Sequence, residues 1–341
     1  MGSTQPGQMN TIVVDAMGSD NAPYSEIEGV IKAVKEFPVA VTLAGREEFI
    51  RKVLRQHDVR GLPIKVVHAA ETITMTEAVA TAVRKKKESS IHVACRMVRD
   101  GLAQGFVSAG NTGAVMAVSK LVMGTLESVD RPGLAAVLPT KNGASVLIDV
   151  GANVDCKPHQ MVQFAIMGHI YCKNILHKQK PTIGLMSIGE EESKGNELTK
   201  EVYKILTASK LNFVGNVEGR DVYDGKIDVI VCDGFTGNVA LKISEGLIEA
   251  VLKLLKEELS RNWTSKVGAL LTQQSFRSLK RKLDYSEYGG APLLGVRGIT
   301  IICHGRSNSN AIKNAVRVAN EYCEMNTNDR IRQEISSLAA V

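Results

Sequence analysis

The sequence predicts an α/β protein, a three-layer αβα sandwich built on a largely parallel sheet. Short β-branched runs recur along the chain, most of them ending in glycine. They are continuously apolar rather than alternating, as strands buried on both faces must be. Helical periodicity separates them, the order expected when parallel strands are joined by crossover helices.

Taken in order, "TIVVDAMG" is the first strand, and it runs into a polar loop ending at Pro23 ("IVVDAMGSDNAP"). "VAVTLAG" and "PIKVVHA" follow as strands. "TMTEAVATAVRKK" then places Thr74 and Glu77 at capping-box spacing ahead of an apolar-periodic segment, which predicts a helix. "QGFVSAG", "ASVLIDVGAN", "PTIGLMSIG" and "IDVIVCDG" are the next strands. "ISEGLIEAVLKLLKEEL" puts Ile243, Leu247, Ile248, Val251, Leu252, Leu255 and Leu259 on one helical stripe.

Beyond it, Trp263, Val267, Leu270 and Leu271 share one helical face, whereas Phe276, Leu279 and Leu283 fall nearly opposite. One straight helix cannot bury both sets, so two helices broken near Thr272 to Ser275 are expected, forming a hairpin tip. "GITIICHG" is the last strand. No Pro- or Ser-rich linker and no internal repeat interrupts the pattern, so residues 9–335 are read as one domain with a helical excursion at about 245–285. Residues 1–8 ("MGSTQPGQ") read as a cloning scar.

The 341 residues suffice for a sizeable core, and a globular enzyme is the default class. Nucleic acid is not expected as a partner: the net charge of +6 is modest, and aromatic residues, at 4%, do not interleave the basic runs "VRKKK" and "FRSLKRK", which read as solvated helix faces. The six cysteines show neither CxxC pairing nor Cys/His spacing and read as reduced thiols, without disulfide or zinc. No metal or organic cofactor is called for. No apolar stretch is long enough to span a bilayer.

Ligands of open α/β sheets gather at the carboxyl ends of strands, here the glycine loops. In "SAGNTGA", Ser108, Gly110, Asn111, Thr112 and Gly113 precede a helix and offer backbone N–H groups to an anion; turn and capping chemistry explains the same residues equally well. "SIGEEESKGNE" adds Lys194 beside Asn196 at a helix start, where side-chain charge and helix dipole reinforce each other, and the functional reading is preferred. "CDGFTGN" carries Asp233, Thr236 and Asn238, the last placed for its amide to donate to a carbonyl oxygen, while Cys232 reads as core. His304 in "HGRSN" is a candidate acid or base, or a hydrogen-bonded structural residue. Walker, GxGxxG, GxSxG and HExxH patterns are absent.

The motifs "DAMGSDNAP", "SAGNTGA", "LIDVGAN", "SIGEEESKGNE", "CDGFTGN", "YSEYGGAPLLGV" and "HGRSN" together make the chain, from Met9 to about Tyr322, resemble the PlsX family of bacterial phosphate acyltransferases. One departure is Ser19, where the family usually has a second glycine. The resemblance implies a Rossmann-like fold related to isocitrate and isopropylmalate dehydrogenases and to phosphotransacetylases, and a cytoplasmic homodimer loosely held at the inner face of the cell membrane. It further implies transfer of a long-chain acyl group from acyl carrier protein to inorganic phosphate, early in phospholipid synthesis, with a glycerol-3-phosphate acyltransferase downstream.

It marks Lys194 and Asn238 as catalytic. Asp15, Gly18, Asp20 and Asn153 join the "SAGNTG" residues and Asn196, Asp233, Thr236 and His304 as substrate or phosphate ligands. The tip residues Trp263, Val267, Leu270 and Leu271, next to Lys266, Arg277, Lys280, Arg281 and Lys282, would be its membrane contact or, equally, a helix pair packed in the dimer. Arg84, Lys85, Lys86 and Lys87 form the densest basic cluster for an acidic carrier protein. Two rivals are a decarboxylating dehydrogenase or acetyltransferase on the same fold and a noncatalytic membrane scaffold.

Overall fold

The computed structural model describes residues 9–276 and 288–339. Eleven strands form one sheet in the order β3-β2-β1-β4-β11-β10-β5-β6-β9-β7-β8. These are β1 Asn10–Asp15, β2 Val39–Gly45, β3 Ile64–His68, β4 Gly105–Ser108, β5 Gly133–Thr140, β6 Gly143–Ile148, β7 Ile183–Met186, β8 Phe213–Val217, β9 Val229–Val231, β10 Ala291–Leu294 and β11 Ile299–Ile302. The apolar runs are buried on both faces, as their continuity requires. Ile12 and Val14 of β1 belong to one core cluster and Val13 to the other, and Val146, Ile148 and Leu147 of β6 divide in the same way.

Helices α1 (Tyr24–Glu36), α2 (Glu47–Leu54), α6 (Pro158–Ile175), α7 (Glu197–Ala208), α10 (Ser309–Glu324) and α11 (Thr327–Ala339) contribute to the first cluster. Helices α3 (Val79–Lys85), α4 (Ser90–Arg99) and α5 (Thr112–Val118) contribute to the second. The sandwich is therefore α/β with helices on both faces, and the sheet is parallel except at its middle. There β10 runs antiparallel to both β11 and β5, and β5 antiparallel to β6.

Two local readings are corrected. The N–H of Thr74 does donate to the Glu77 carboxylate at 2.9 Å, but the helix begins only at Val79, with Ala78 as its cap. Glu77 instead also pairs with Lys86, so the capping-box spacing here closes a loop and not a helix start. The second correction concerns β5, β8 and β10, which were not expected. β5 and β6 form a hairpin, signalled by Asn142-Gly143, across the two-residue loop Lys141-Asn142; Gly143, at φ +123°, pairs with Thr140 and opens β6 in a backbone that favours glycine.

The 27-residue helix α8 (Gly234–Ser260) begins in the layer structure and leaves it. Only Gly234 and Gly237 are buried along its whole length, while Ile243, Leu247 and Val251 of the expected stripe are exposed. Asn262 caps the short helix α9 (Trp263–Leu271), which stops at Thr272 before residues 273–276 resume helical backbone. Arg277, Leu279, Lys280, Arg281, Lys282 and Leu283 lie outside the described residues. Among those described, no helix is long and apolar enough to cross a membrane.

Candidate active site

The loop after β1 and the loop after β4 are locked to each other. The Ser108 hydroxyl donates to Asp15 Oδ2 at 2.8 Å and accepts from the Gly110 N–H at 3.0 Å. Met17 N–H donates to the other Asp15 oxygen at 3.0 Å. A side chain at Gly18 would place its Cβ 2.7 Å from both Asp15 Oδ2 and Gly110 N, so this crossing needs glycine. Burial raises the Asp15 carboxyl above its usual range, against the hydrogen bonds from Ser108 and Met17.

Ser19 has none of the left-handed backbone found at Ser128, His177 and Asn326, so serine fits this loop without strain. Its N–H donates to the buried Glu26 carboxylate at 3.2 Å, and burial pushes that carboxyl up to about 7. Asp20 N–H reaches the Gly305 carbonyl at 2.9 Å, tying the first loop to the loop after β11.

A second lock forms around Asp149, which sequence reading passed over inside "LIDVGAN". Its carboxylate accepts from the N–H groups of Leu134, Gly151, Ala152 and Asn153 and from Asn153 Nδ2, at 2.7 to 3.2 Å. Burial still leaves the carboxyl raised. Asn153 Nδ2 also donates to Pro132 O at 2.8 Å, so its amide is spent on shaping the loop.

The start of α8 docks against this loop. Gly234 N–H donates to Asn153 O at 2.8 Å, a Cβ on Gly234 would lie 2.5 Å from that same oxygen, and one on Gly237 would drive into the Asp149 carbonyl oxygen. Asp233 caps the helix through Thr236 N–H at 2.9 Å and takes the Thr236 hydroxyl at 2.7 Å. Cys232 is buried, with its thiol pushed well up by burial, and its Sγ–H points to Asp149 O at 3.4 Å. It is packing, as expected.

These locks hold open a cavity of about 560 Å³ between α5, α8 and the strands β5, β10 and β11. Of the residues singled out from sequence, Asp20, Gly110, Thr112, Gly113, Asn238 and His304 line it. Asp15, Gly18, Ser108 and Asn153 shape its walls from behind, through the bonds above. Asn111 caps α5 by accepting from Ala114 N–H at 3.1 Å while donating to Met75 O at 3.1 Å.

Lys194 and Asn196 stand apart from the lining. Lys194 is exposed in the loop between β7 and α7, and Asn196 caps α7 through Thr199 N–H at 2.9 Å. In the sheet, β9, which leads into Asp233 and α8, separates β6 from β7, so the Lys194 loop flanks the α8 start on the side away from the Asp149 loop. Among the described residues, no three His, Cys, Asp or Glu side chains converge as metal ligands would.

Comparison with known proteins places this arrangement. The profile of a family described as "Fatty acid synthesis protein" matches residues 10–330. The chain belongs to that family. It is the PlsX family to which the motifs pointed. A phosphate acyltransferase of Geobacter sulfurreducens is 49% identical over 326 residues, covering 96% of this chain and 94% of the relative. One from Acidobacterium capsulatum is 50% identical over 333 residues, covering 97% and 98%. This PlsX-family chain is accordingly an acyltransferase.

Among solved structures, a phosphotransacetylase from Streptococcus pyogenes superposes with a TM-score of 0.60 at 16% identity, covering 93% of this chain and 95% of that one. A 4-hydroxythreonine-4-phosphate dehydrogenase from Salmonella typhimurium gives 0.54 at 11%, covering 92% and 99%. At such identities the likeness establishes the Rossmann-like α/β fold.

The PlsX-family cavity also has residues that the sequence reading missed. Lys242 and Glu245 lie one and two helical turns beyond Asn238 on α8, and Arg306 follows His304 by two residues; all three line the cavity. The spacing i, i+4, i+7 from Asn238 was the available signal. Lys242 Nζ is 2.8 Å from Glu245 Oε2, and His304 Nε2 is 3.8 Å from the same oxygen. Burial raises the Glu245 carboxyl, but hydrogen bonds with His304 and Lys242 outweigh it and hold the group below its ordinary range. Arg306 pairs with Glu249 at 3.2 Å. The floor is hydrocarbon: Leu134, Ala136, Leu138, Met116, Val150 and Leu241.

Proposed function

We propose that this chain transfers a long-chain fatty acyl group from the thioester of acyl carrier protein to inorganic phosphate, forming the acyl phosphate used in phospholipid synthesis. The observation that carries the reading is one cavity with an amide, cations and a helix N-terminus at its polar end and hydrocarbon beneath. Relatives about half identical over nearly the whole chain, named phosphate acyltransferase, support the phosphate acceptor.

Phosphate is already an anion at neutral pH, and a thiolate is a competent leaving group, so no covalent enzyme intermediate is required. A phosphate oxygen attacks the thioester carbonyl carbon, the carbonyl oxygen takes the negative charge, and collapse breaks the C–S bond and releases the carrier thiol. Asn238 donates to the carbonyl oxygen, at the cavity wall. The N–H groups at the start of α5, around Thr112 and Gly113, hold phosphate. Lys194 supplies charge from the flanking loop.

Exposed apolar side chains support the assembly reading. Leu247 is 62% exposed on α8 and Trp263 75% exposed on α9. In this reading the α8 stripe packs against a second copy, and α9, with Lys266, meets lipid.

The test mixes the protein with palmitoyl carrier protein and phosphate and measures hydroxylamine-trapped acyl phosphate together with free carrier thiol. Lys194→Ala should retain the fold and lose roughly 2 to 4 kcal/mol of transition-state stabilisation, the scale of one preorganised donor. Unchanged turnover would remove Lys194 from the mechanism and point to Lys242, the lysine on the cavity wall. Thiol release without trapped product would mean thioester hydrolysis. Neither product would favour the scaffold reading.

A further inference from the structure

The polar end of the cavity accounts for a carbonyl and a phosphate, but not for the hydrocarbon beneath them. On β5, Leu134, Ala136 and Leu138 share one face by the two-residue period of a strand, and all three belong to the core cluster on the α5 side of the sheet. The hairpin register orders them by depth. Leu134 N–H donates to Asp149 Oδ1 at 3.0 Å, level with the Asp149 loop, while Leu138 pairs with Ser145, farther along β6 from that loop.

Two residues of strand advance about 7 Å, so Leu138 lies roughly 14 Å from Leu134. Of the flanking helices, α5 extends the same gradient, with Met116 one turn after Thr112. On α8, Leu241 faces the same space one turn from Asn238, between it and the charged pair Lys242 and Glu245.

We propose that this cavity is the acyl-chain chamber, with the thioester carbonyl at Asn238 and the saturated chain laid along β5, so that Ala136 and Leu138 act as successive length gauges. The inference rests on the acyl-transfer reading of the same site. It assigns a ligand subsite and makes β5 the determinant of chain-length preference. Each methylene moved from water into such a floor changes affinity about fourfold, so blocking the chamber partway should penalise long donors far more than short ones.

The experiment compares the unmutated protein with Ala136→Phe, Leu138→Phe and, on the outer stripe, Leu247→Asn. The donors are octanoyl, lauroyl and palmitoyl carrier protein, and acyl phosphate is the product measured. Ala136→Phe should lower the palmitoyl-to-octanoyl ratio of kcat/KM at least tenfold, Leu138→Phe should lower it less, and Leu247→Asn should leave the ratio where it was. A ratio unmoved by both β5 variants, or moved by Leu247→Asn instead, would overturn the proposal and lay the chain along the outside of α8. Circular dichroism checks folding, and if Ala136→Phe does not fold, Leu138→Phe decides alone.

If the unmutated protein consumes no donor, the acyl-transfer reading has failed, and the chamber is then judged by the affinity for free fatty acids from octanoate to palmitate. Affinity rising with length and flattened by Ala136→Phe, or by Leu138→Phe if that variant alone folds, would uphold it. Length-independent affinity would sink it.

Discussion

The two ends of α8 obey opposite rules. At the root, two glycines bring the backbone against the Asp149 loop, Asp233 caps the first turn, and every close contact is made by main chain or a short polar group. From Ile243 onward, the helix carries apolar side chains into the open, with Ile243, Leu247, Val251 and Leu254 exposed. One continuous helix thus serves as the wall of a cavity and as an exposed apolar surface. Precision belongs to the root, and change at the far end should leave the chemistry alone.

Gly237→Ala attacks the root and should have the largest effect. The added methyl must displace the Asp149 carbonyl, which costs on the order of 3 kcal/mol or more by overpacking and should depress Tm and turnover together. A stable, fully active Gly237→Ala protein would break the distinction. Asn238→Ala tests the same turn without the packing defect. Turnover should fall about 10²- to 10³-fold while Tm stays within a degree or two, and parallel loss of both would make Asn238 a structural residue.

Glu245 marks the boundary between the two ends. Its carboxyl titrates below its ordinary value of 4.5 in the folded protein because His304 and Lys242 outweigh the effect of burial. A depressed carboxyl contributes stability that is present above the unfolded value and is lost as pH falls through the folded one. Thermal melts from pH 6 down to pH 3 should therefore show a steeper acid decline for the unmutated protein than for Glu245→Gln. Identical declines would detach Glu245 from its partners.

The projecting end should give the smallest effect on catalysis. Ile243→Asn with Leu247→Asn should shift the protein toward monomer in sedimentation, and Trp263→Ser should weaken flotation with anionic vesicles. Turnover on a soluble short-chain donor should change less than threefold, the scale of surface substitutions of about 0.5 kcal/mol. A hundredfold loss would bind the two ends of α8 into one functional unit.

Much of the fold was legible because burial on both faces writes itself as uninterrupted β-branched runs. The central antiparallel strands were less so: β10 is a four-residue segment between glycines, and β5 betrayed itself only through the Asn142-Gly143 turn. For the site, the difficulty is that caps and ligands use the same residues. Asn111, Asn196 and Asp233 all accept from the N–H three residues on, which any helix start rewards. Asn238, inside the first turns of α8, faces the cavity instead, and its neighbours Lys242 and Glu245 were readable from helical spacing once that face was known.

The layered α/β class, the positions of most strands, the glycine crossings and the family are all written in the amino-acid order, because they depend on periodicity, turn chemistry and spaced motifs along one dimension. Which loop residues face a common space was set by packing in three dimensions. It drew β5 into the floor, put Asp149 behind the wall, left Lys194 on a flanking loop and exposed the α8 stripe. The physical reason is that a cavity is a region left unfilled by elements distant in sequence, and no local pattern encodes what fails to meet.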